Sequence, residues 1–232
     1  MNADTELSIA LPSYLEEENL RILLPRLTEM LAKMAVSHEI LVIDTHEPMD
    51  HTREVCLKHG VVYINREGGN FFGDAVRTVI SHAKGKNIVF MDADGSHSPE
   101  FIPTMYQFMN EYDIVIASRY VEGGGTDNAK ILVWMSLILN YIYSLVLRLK
   151  CKDVSNSFKI YRSSLLKDLT LRCNNFDIVE EILFKIVRNN EMVRIKEVPF
   201  TFKKRMFGET KRDLLLFIFT FIVTIVKLRF GR

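Results

Sequence analysis

Two aspartates, Asp92 and Asp94, stand one residue apart directly behind the apolar run Ile88-Val89-Phe90-Met91, and a third, Asp44, closes the run Ile40-Leu41-Val42-Ile43. Carboxylates gathered at one place repel one another unless something positive joins them. A hard divalent cation is the simplest such partner. Mg2+ or Mn2+ takes a few carboxylate oxygens and fills its other positions with substrate phosphates. Asp92 and Asp94 are therefore the candidate metal ligands. A helix cap or a solvated turn would also use aspartate, but Ser98 followed by Pro99 already supplies a cap and a first-turn residue.

The elements that must position these groups alternate. Short β-rich runs cover Leu7 to Pro12, Glu39 to Asp44, Val61 to Asn65, Asn87 to Asp92 and Asp113 to Ser118. Their near-continuous apolar character predicts strands buried on both faces. Helical patterns lie between them: Glu16 to Lys33 sets Leu20, Leu23, Leu24, Leu27 and Leu31 on one face, and Phe72 to Ala83 and Pro99 to Asn110 behave alike. Strand and helix in alternation predict an α/β fold with a mostly parallel sheet. Ligands of such sheets sit beyond the carboxyl ends of the strands, where all three aspartates fall.

Composition narrows the function classes. The 232 residues suffice for one α/β domain, and a formal net charge of +1 gives no global pull toward nucleic acid. Cys56, Cys151 and Cys173 stand too far apart for metal-ligand or redox spacing, which predicts reduced thiols in a cytosolic chain. The first residues lack the basic and apolar regions of a signal peptide.

Six stretches carry a resemblance. "LPSYLEEENL" is similar to P-x-Y-N-E-x-x-N-L, with Leu15 in place of the Asn. "LVID" matches a second strand, with Thr45 where another Asp is common. "MDADGSHSPE" is similar to D-A-D-x-Q-H-x-P-E, with Ser96 for the Gln. "ASRYVEGGG", "DVSNSFKIYR" and "VPFTFKKRMFGETK" follow in order. The chain resembles inverting family-2 glycosyltransferases of GT-A fold, and within them dolichol-phosphate mannose synthases and bacterial polyprenyl-phosphate hexose synthases. The resemblance runs from about Leu7 to Lys211.

It implies transfer of a hexose from a GDP- or UDP-sugar to a polyprenyl or dolichyl phosphate, with Mg2+ or Mn2+ on the donor diphosphate. Asp94 is the implied direct metal ligand. Asp92 would touch metal, metal-bound water or ribose, and Pro12, Tyr14, Glu16 and Asp44 would line the nucleoside side. A lipid phosphate is already anionic and needs cations more than a base. Arg119, after the fifth strand, and Arg205 and Lys211, flanking Phe207-Gly208, are the cations expected to hold phosphate. The related lipid-phosphate enzymes usually carry an Arg a few residues into the helix after the triple glycine; the matching region here, "NAKILVWMSLILN", holds no Arg, and Lys130 is the nearby cation.

Two apolar segments remain. Ile131 to Leu147 carries Ser136, Asn140 and Ser144 as a polar stripe, with Trp134, Tyr141 and Tyr143 beside it. That pattern predicts a helix lying in a membrane interface rather than crossing it, with a helix packed on the domain or in a dimer as the alternative. Leu214 to Val226 is an apolar run, with Thr220, Thr224 and Lys227 on one face, Arg229 and Arg232 beyond it, and too few residues for a straightforward span. The expected organisation is a GT-A domain over residues 1–212 and a membrane-interface or homodimer helix over 213–232, peripheral on the cytoplasmic face. Two other readings stand beside this one. A transferase acting on a saccharide hydroxyl would need a base such as Glu180 or Glu181. A catalytically weak, membrane-associated homologue would explain Thr45, Ser96 and Asn156-Ser157.

Overall fold

Leu7–Pro12 is β1, the strand on which the sheet is built: Leu7, Ile9, Ala10 and Leu11 have no solvent exposure in this computed structural model, which describes residues 4–208 and 214–230. After β1 come α1 (Glu17–Met34), β2 (His38–Asp44), α2 (Thr52–His59), β3 (Val62–Asn65), α3 (Phe72–His82), β4 (Asn87–Phe90), α4 (Ile102–Tyr106) and β5 (Ile114–Ser118). The second half adds β6 (Gly125–Thr126), α5 (Lys130–Leu147), β7 (Lys159–Arg162), α6 (Ser164–Lys167), α7 (Ile178–Asn189), β8 (Ile195–Pro199), β9 (Thr201–Phe202) and α8 (Leu214–Phe230).

Seven strands form one sheet in the order β3-β2-β1-β4-β7-β5-β8. All pairs are parallel except those of β7, which runs antiparallel to β4 and β5. The chain winds outward from β1 through β2 to β3, then returns to lay β4 on the other side of β1. The crevice between the carboxyl ends of β1 and β4 is thus the point where the winding reverses, the usual ligand site of such sheets. Pro12 ends one of these strands and Asp92 follows the other. A parallel two-stranded ribbon of β6 and β9 stands beside it.

Two expectations need correction. The third strand is not buried on both faces: it is the sheet edge, and Val62 is exposed. Pro99 to Asn110 is not one helix but a 3-10 turn at Pro99–Phe101, the short α4, and a second 3-10 turn at Gln107–Asn110. Pro99 and Pro103 bring no N–H donors, and neither can extend an α-helical ladder.

The alternative given for α5, a helix packed on the domain, holds for one of its faces. The polar stripe of α5 points inward: Asn140 is buried, accepting the Val154 and Ser155 N–H groups, and Ser144 donates to the Leu149 carbonyl. The outward face is the apolar one, with Trp134 at 65% and Tyr141 at 67% exposure beside Ile131, Ile138 and Leu145. Unpaired amides and hydroxyls cost little in water, but here they satisfy a loop that would otherwise bury bare N–H groups. By length and composition α5 is long and apolar enough to cross a membrane.

The last helix joins the body. Phe221, Ile225 and Leu228 of α8 belong to the apolar cluster that covers the sheet, and Thr224 donates to Asp177. Tyr143 of α5 packs its ring at a tilt against Phe221 and donates to its carbonyl at 3.0 Å.

Candidate active site

A cavity of about 550 Å3 opens over the β1–β4 crevice, and Pro12, Tyr14, Glu16, Asp92, Asp94, Arg119 and Arg205 all line it. Seven of the residues singled out from sequence are therefore brought together. Asp44 is not among the lining residues. Its carboxylate is buried and accepts the Tyr63 hydroxyl at 2.9 Å, and burial pushes its pKa up. Lys211 lies outside the described residues.

The turn after β4 sets the two aspartates. Gly95 has φ +80°, and a Cβ there would lie 2.5 Å from the Met206 side chain, so the tight turn and the crossing segment both require glycine. Ser96 donates its N–H (2.9 Å) and its hydroxyl (2.6 Å) to Asp94 Oδ1. Ser157 donates to Asp92 Oδ1 at 2.9 Å. Each carboxylate thus has one oxygen fixed by a serine, while Asp92 Oδ2 and Asp94 Oδ2 make no hydrogen bond among the described residues. Two open, hard carboxylate oxygens at one cavity suit Mg2+ or Mn2+ that brings further oxygen ligands with it. No cluster of three or more His, Cys, Asp or Glu exists among the described residues to hold a metal without such help.

His97 backs the turn from within the core, stacked on Phe158 with ring centroids 4.7 Å apart. Its Nδ1 accepts the Asp92 N–H at 2.9 Å, so the ring proton resides on Nε2, 3.8 Å from Asp92 Oδ2. Burial holds its pKa below the ordinary histidine value, which keeps the ring neutral.

The cations are anchored. Arg119 grips Asp153 with two prongs, and although burial opposes its charge, that partner holds its pKa above the usual arginine value. Its Nη2 also reaches Ser155 Oγ at 3.0 Å. Arg205 comes from the segment after β9 and pairs with Glu16 at 2.8 Å across the cavity mouth. Arg119 further lines a second cavity, of about 490 Å3, with Tyr120, Gly124, Lys130, Trp134 and Leu137.

Sequence reasoning missed the residues that hold these groups. Arg66 is buried in the cavity floor and donates to the carbonyls of Ser13, Asp44, Asn70 and Phe71. It ties the ends of β1 and β2 to the loop that carries Phe71. Lys159 lies fully buried under residues 153–157, its Nζ donating to the Val154 and Asn156 carbonyls; burial pushes its pKa down to about 8, against the pull of Asp153 and Glu180. Glu181, a candidate base for a hydroxyl acceptor, instead accepts the Arg172 and Cys173 N–H groups and Lys185, and neither it nor Glu180 lines the cavity.

A model of "Glycosyl transferase family 2" matches residues 8–170. The chain belongs to this family. It is 32% identical over 214 residues to a dolichol-phosphate mannosyltransferase of Pyrococcus furiosus, an alignment covering 89% of this chain and 59% of that protein. The dolichol-phosphate mannosyltransferase of Saccharomyces cerevisiae is 29% identical over 221 residues, covering 89% of this chain and 80% of the relative. An undecaprenyl-phosphate mannosyltransferase of Micrococcus luteus is also 29% identical over 221 residues, with 87% and 85% covered. This family-2 glycosyltransferase thus spans less than two thirds of the archaeal relative it matches. Its fold is that of a glucosyl-3-phosphoglycerate synthase of Mycobacterium tuberculosis solved with Mn2+, UDP and glucosyl-3-phosphoglycerate: TM-score 0.73, 14% identity, 97% of this chain and 80% of that one.

Proposed function

We propose that this family-2 glycosyltransferase moves a hexose, of mannose or glucose type, from a GDP- or UDP-sugar to a polyprenyl or dolichyl phosphate, with inversion at the anomeric carbon. Arg119 carries the reading, because it lines both the cavity with the aspartates and the second cavity beside α5. One guanidinium at that seam can face two anions as they approach. Its Nη1 makes no hydrogen bond among the described residues, whereas Nε and Nη2 are taken up by Asp153 and Ser155.

The division of labour follows. Pro12, Tyr14 and Glu16 face the nucleoside side of the donor, above the floor that Arg66 braces. Asp92 and Asp94 would hold Mg2+ or Mn2+, which when bound neutralises charge on the departing diphosphate. Arg119 and Arg205 hold phosphate oxygens, Arg205 by exchanging Glu16 for the ligand. An ionised acceptor phosphate attacks without a general base, which suits a cavity that neither Glu180 nor Glu181 reaches. The second cavity runs along Trp134 and Leu137 of α5, whose exposed apolar face would rest on the cytoplasmic leaflet and admit a lipid from the side. Residues 213–232 would then be a membrane-proximal helix.

The test is a transfer assay with the full chain, Mn2+, GDP-mannose, GDP-glucose or UDP-glucose, and either a short polyprenyl phosphate or a saccharide. Polyprenyl-phosphate hexose is the expected product. Transfer to the saccharide alone would refute the reading.

A further inference from the structure

Ser155 lines the same cavity, midway in sequence between Asp153, which grips Arg119, and Ser157, which fixes Asp92. Its hydroxyl has an unusual set of partners. Arg119 Nη2 donates to Oγ at 3.0 Å, and Asn140 Nδ2 donates to the same atom at 3.0 Å. A serine hydroxyl has two lone pairs and one proton. Both lone pairs are filled by N–H donors, so the hydroxyl can only donate. No protein acceptor for that proton is found among the described residues, and the side chain borders the cavity.

The orientation of Asn140 is itself determined. Its Oδ1 accepts the Val154 N–H at 2.7 Å and the Ser155 N–H at 2.9 Å, groups that can only donate. The amide nitrogen must therefore face Ser155 and the Ser136 carbonyl, the latter at 2.8 Å. Asn140 is buried on the inner face of α5 and has no access to the cavity. A buried amide thus determines the direction in which a half-buried, cavity-lining hydroxyl donates.

We infer that Ser155 is a further binding residue of this site, donating its hydroxyl proton to a phosphate oxygen next to Arg119, and that Asn140 is the positioning residue that aims it. A donor-only hydroxyl beside a guanidinium offers nothing but positive hydrogen-bond ends, which match an anionic oxygen best, because bonds to a charged acceptor are the stronger ones. The oxygen belongs either to the donor diphosphate or to an acceptor phosphate. The inference rests on the proposed function in that both sources come from it.

The experiment is calorimetric titration of the full chain with GDP or UDP plus Mn2+ in one arm, and with a short-chain polyprenyl phosphate in detergent in the other. Ser155→Ala should weaken binding about ten- to a hundred-fold in at least one arm, as loss of a hydrogen bond to a charged group does. The affected arm identifies the phosphate. Ser155→Thr should restore most of the loss. Asn140→Asp keeps an oxygen for the two backbone N–H groups but replaces the Nδ2 donor with an acceptor, which draws the serine proton off the cavity. It should reproduce the Ser155→Ala loss in the same arm, and the double variant should add nothing further. Circular dichroism checks that each variant is folded. Unchanged binding of Ser155→Ala in both arms, with wild type binding normally, would overturn the Ser155 assignment alone. Additive losses would overturn the role of Asn140. A wild-type chain that binds neither ligand would refute the proposed function and this inference with it.

Discussion

Arg119 and Asp153, 34 residues apart in sequence, meet in a two-pronged ion pair: Nε to Oδ2 at 2.8 Å and Nη2 to Oδ1 at 2.7 Å. The Arg119 main-chain N–H adds a third bond to Oδ2 at 2.8 Å. Asp153 is wholly buried, and only the arginine's cavity-facing edge sees solvent. Burial alone would raise the Asp153 pKa; the guanidinium more than reverses that and holds it below the ordinary carboxylate value.

The pair has a pH signature. With its folded pKa depressed, Asp153 contributes stability above the unfolded carboxylate pKa, about 4, and that contribution is lost as pH falls through the lower folded value. In Arg119→Gln the main-chain N–H groups and Lys159 still favour the carboxylate, but the guanidinium that opposed burial most is gone, so the folded pKa rises toward the unfolded one. The stability that ionised Asp153 contributes above about pH 4 then shrinks or disappears. The stability gap between wild type and Arg119→Gln should widen from pH 3.5 to 7, reaching about 3–5 kcal/mol. Urea unfolding across that range measures it, and a gap independent of pH would show that Asp153 does not depend on Arg119.

Asp94→Asn keeps the shape of the turn and one hydrogen-bond acceptor for Ser96 while removing the charge. Metal-dependent nucleoside diphosphate binding should fall by roughly ten- to several-hundred-fold, a few kcal/mol. Binding without metal should change little. Titration with GDP and UDP, with and without Mn2+, separates the two, and equal metal-dependent affinity in the variant would remove Asp94 from the site.

Leu15 sits at φ 55°, in the left-handed region, with its side chain 44% exposed. A leucine there bears a Cβ clash of roughly 1–2 kcal/mol; asparagine has the same Cβ but offsets part of that cost through local hydrogen bonds of its short polar side chain. Related family-2 sequences commonly carry Asn at this place in the motif. Leu15→Asn should therefore stabilise the chain by about 0.5–1 kcal/mol, read as a higher urea midpoint at unchanged slope. A lower midpoint would mean that the leucine's contacts outweigh its backbone strain.

Much of this site was legible because its chemistry sits in short, ordered motifs at strand ends. Asp92, Asp94 and Arg119 each follow a run of apolar residues, and a parallel sheet places such positions on one edge. The fasteners were not legible, because their partners are remote in sequence: Ser157 lies 65 residues from Asp92, and Arg66 lies 53 from Ser13. Asp44 also closes an apolar run, yet Tyr63 of the neighbouring strand β3 takes up its carboxylate, a pairing that spacing alone does not contain. Periodicity correctly grouped Ser136, Asn140 and Ser144 on one face of α5. It could not say what that face meets, because a polar stripe satisfies buried N–H groups as well as it satisfies water.

The outward apolar face of α5 yields the last prediction. Trp134 and Ile138 project outward, 65% and 56% exposed, while Asn140 and Tyr143 anchor the opposite side. Replacing both outward residues by serine removes apolar area that would enter a lipid surface and leaves every buried hydrogen bond of the helix in place. At about 25 cal/mol per Å2, the lost burial is worth roughly 2–4 kcal/mol, a thirty- to several-hundred-fold loss of affinity for the surface. Trp134→Ser with Ile138→Ser should therefore cut binding to vesicles rich in anionic lipid by that factor, with nucleoside diphosphate affinity and the urea midpoint near those of wild type. Ser144→Ala, on the inner face, should do the opposite: it removes a hydrogen bond to the Leu149 carbonyl, lowers stability by about 1 kcal/mol, and leaves vesicle binding alone. Vesicle co-sedimentation and urea unfolding of both variants discriminate the two faces. If the serine pair still sediments fully while Ser144→Ala does not, the polar stripe and not the apolar face meets the membrane.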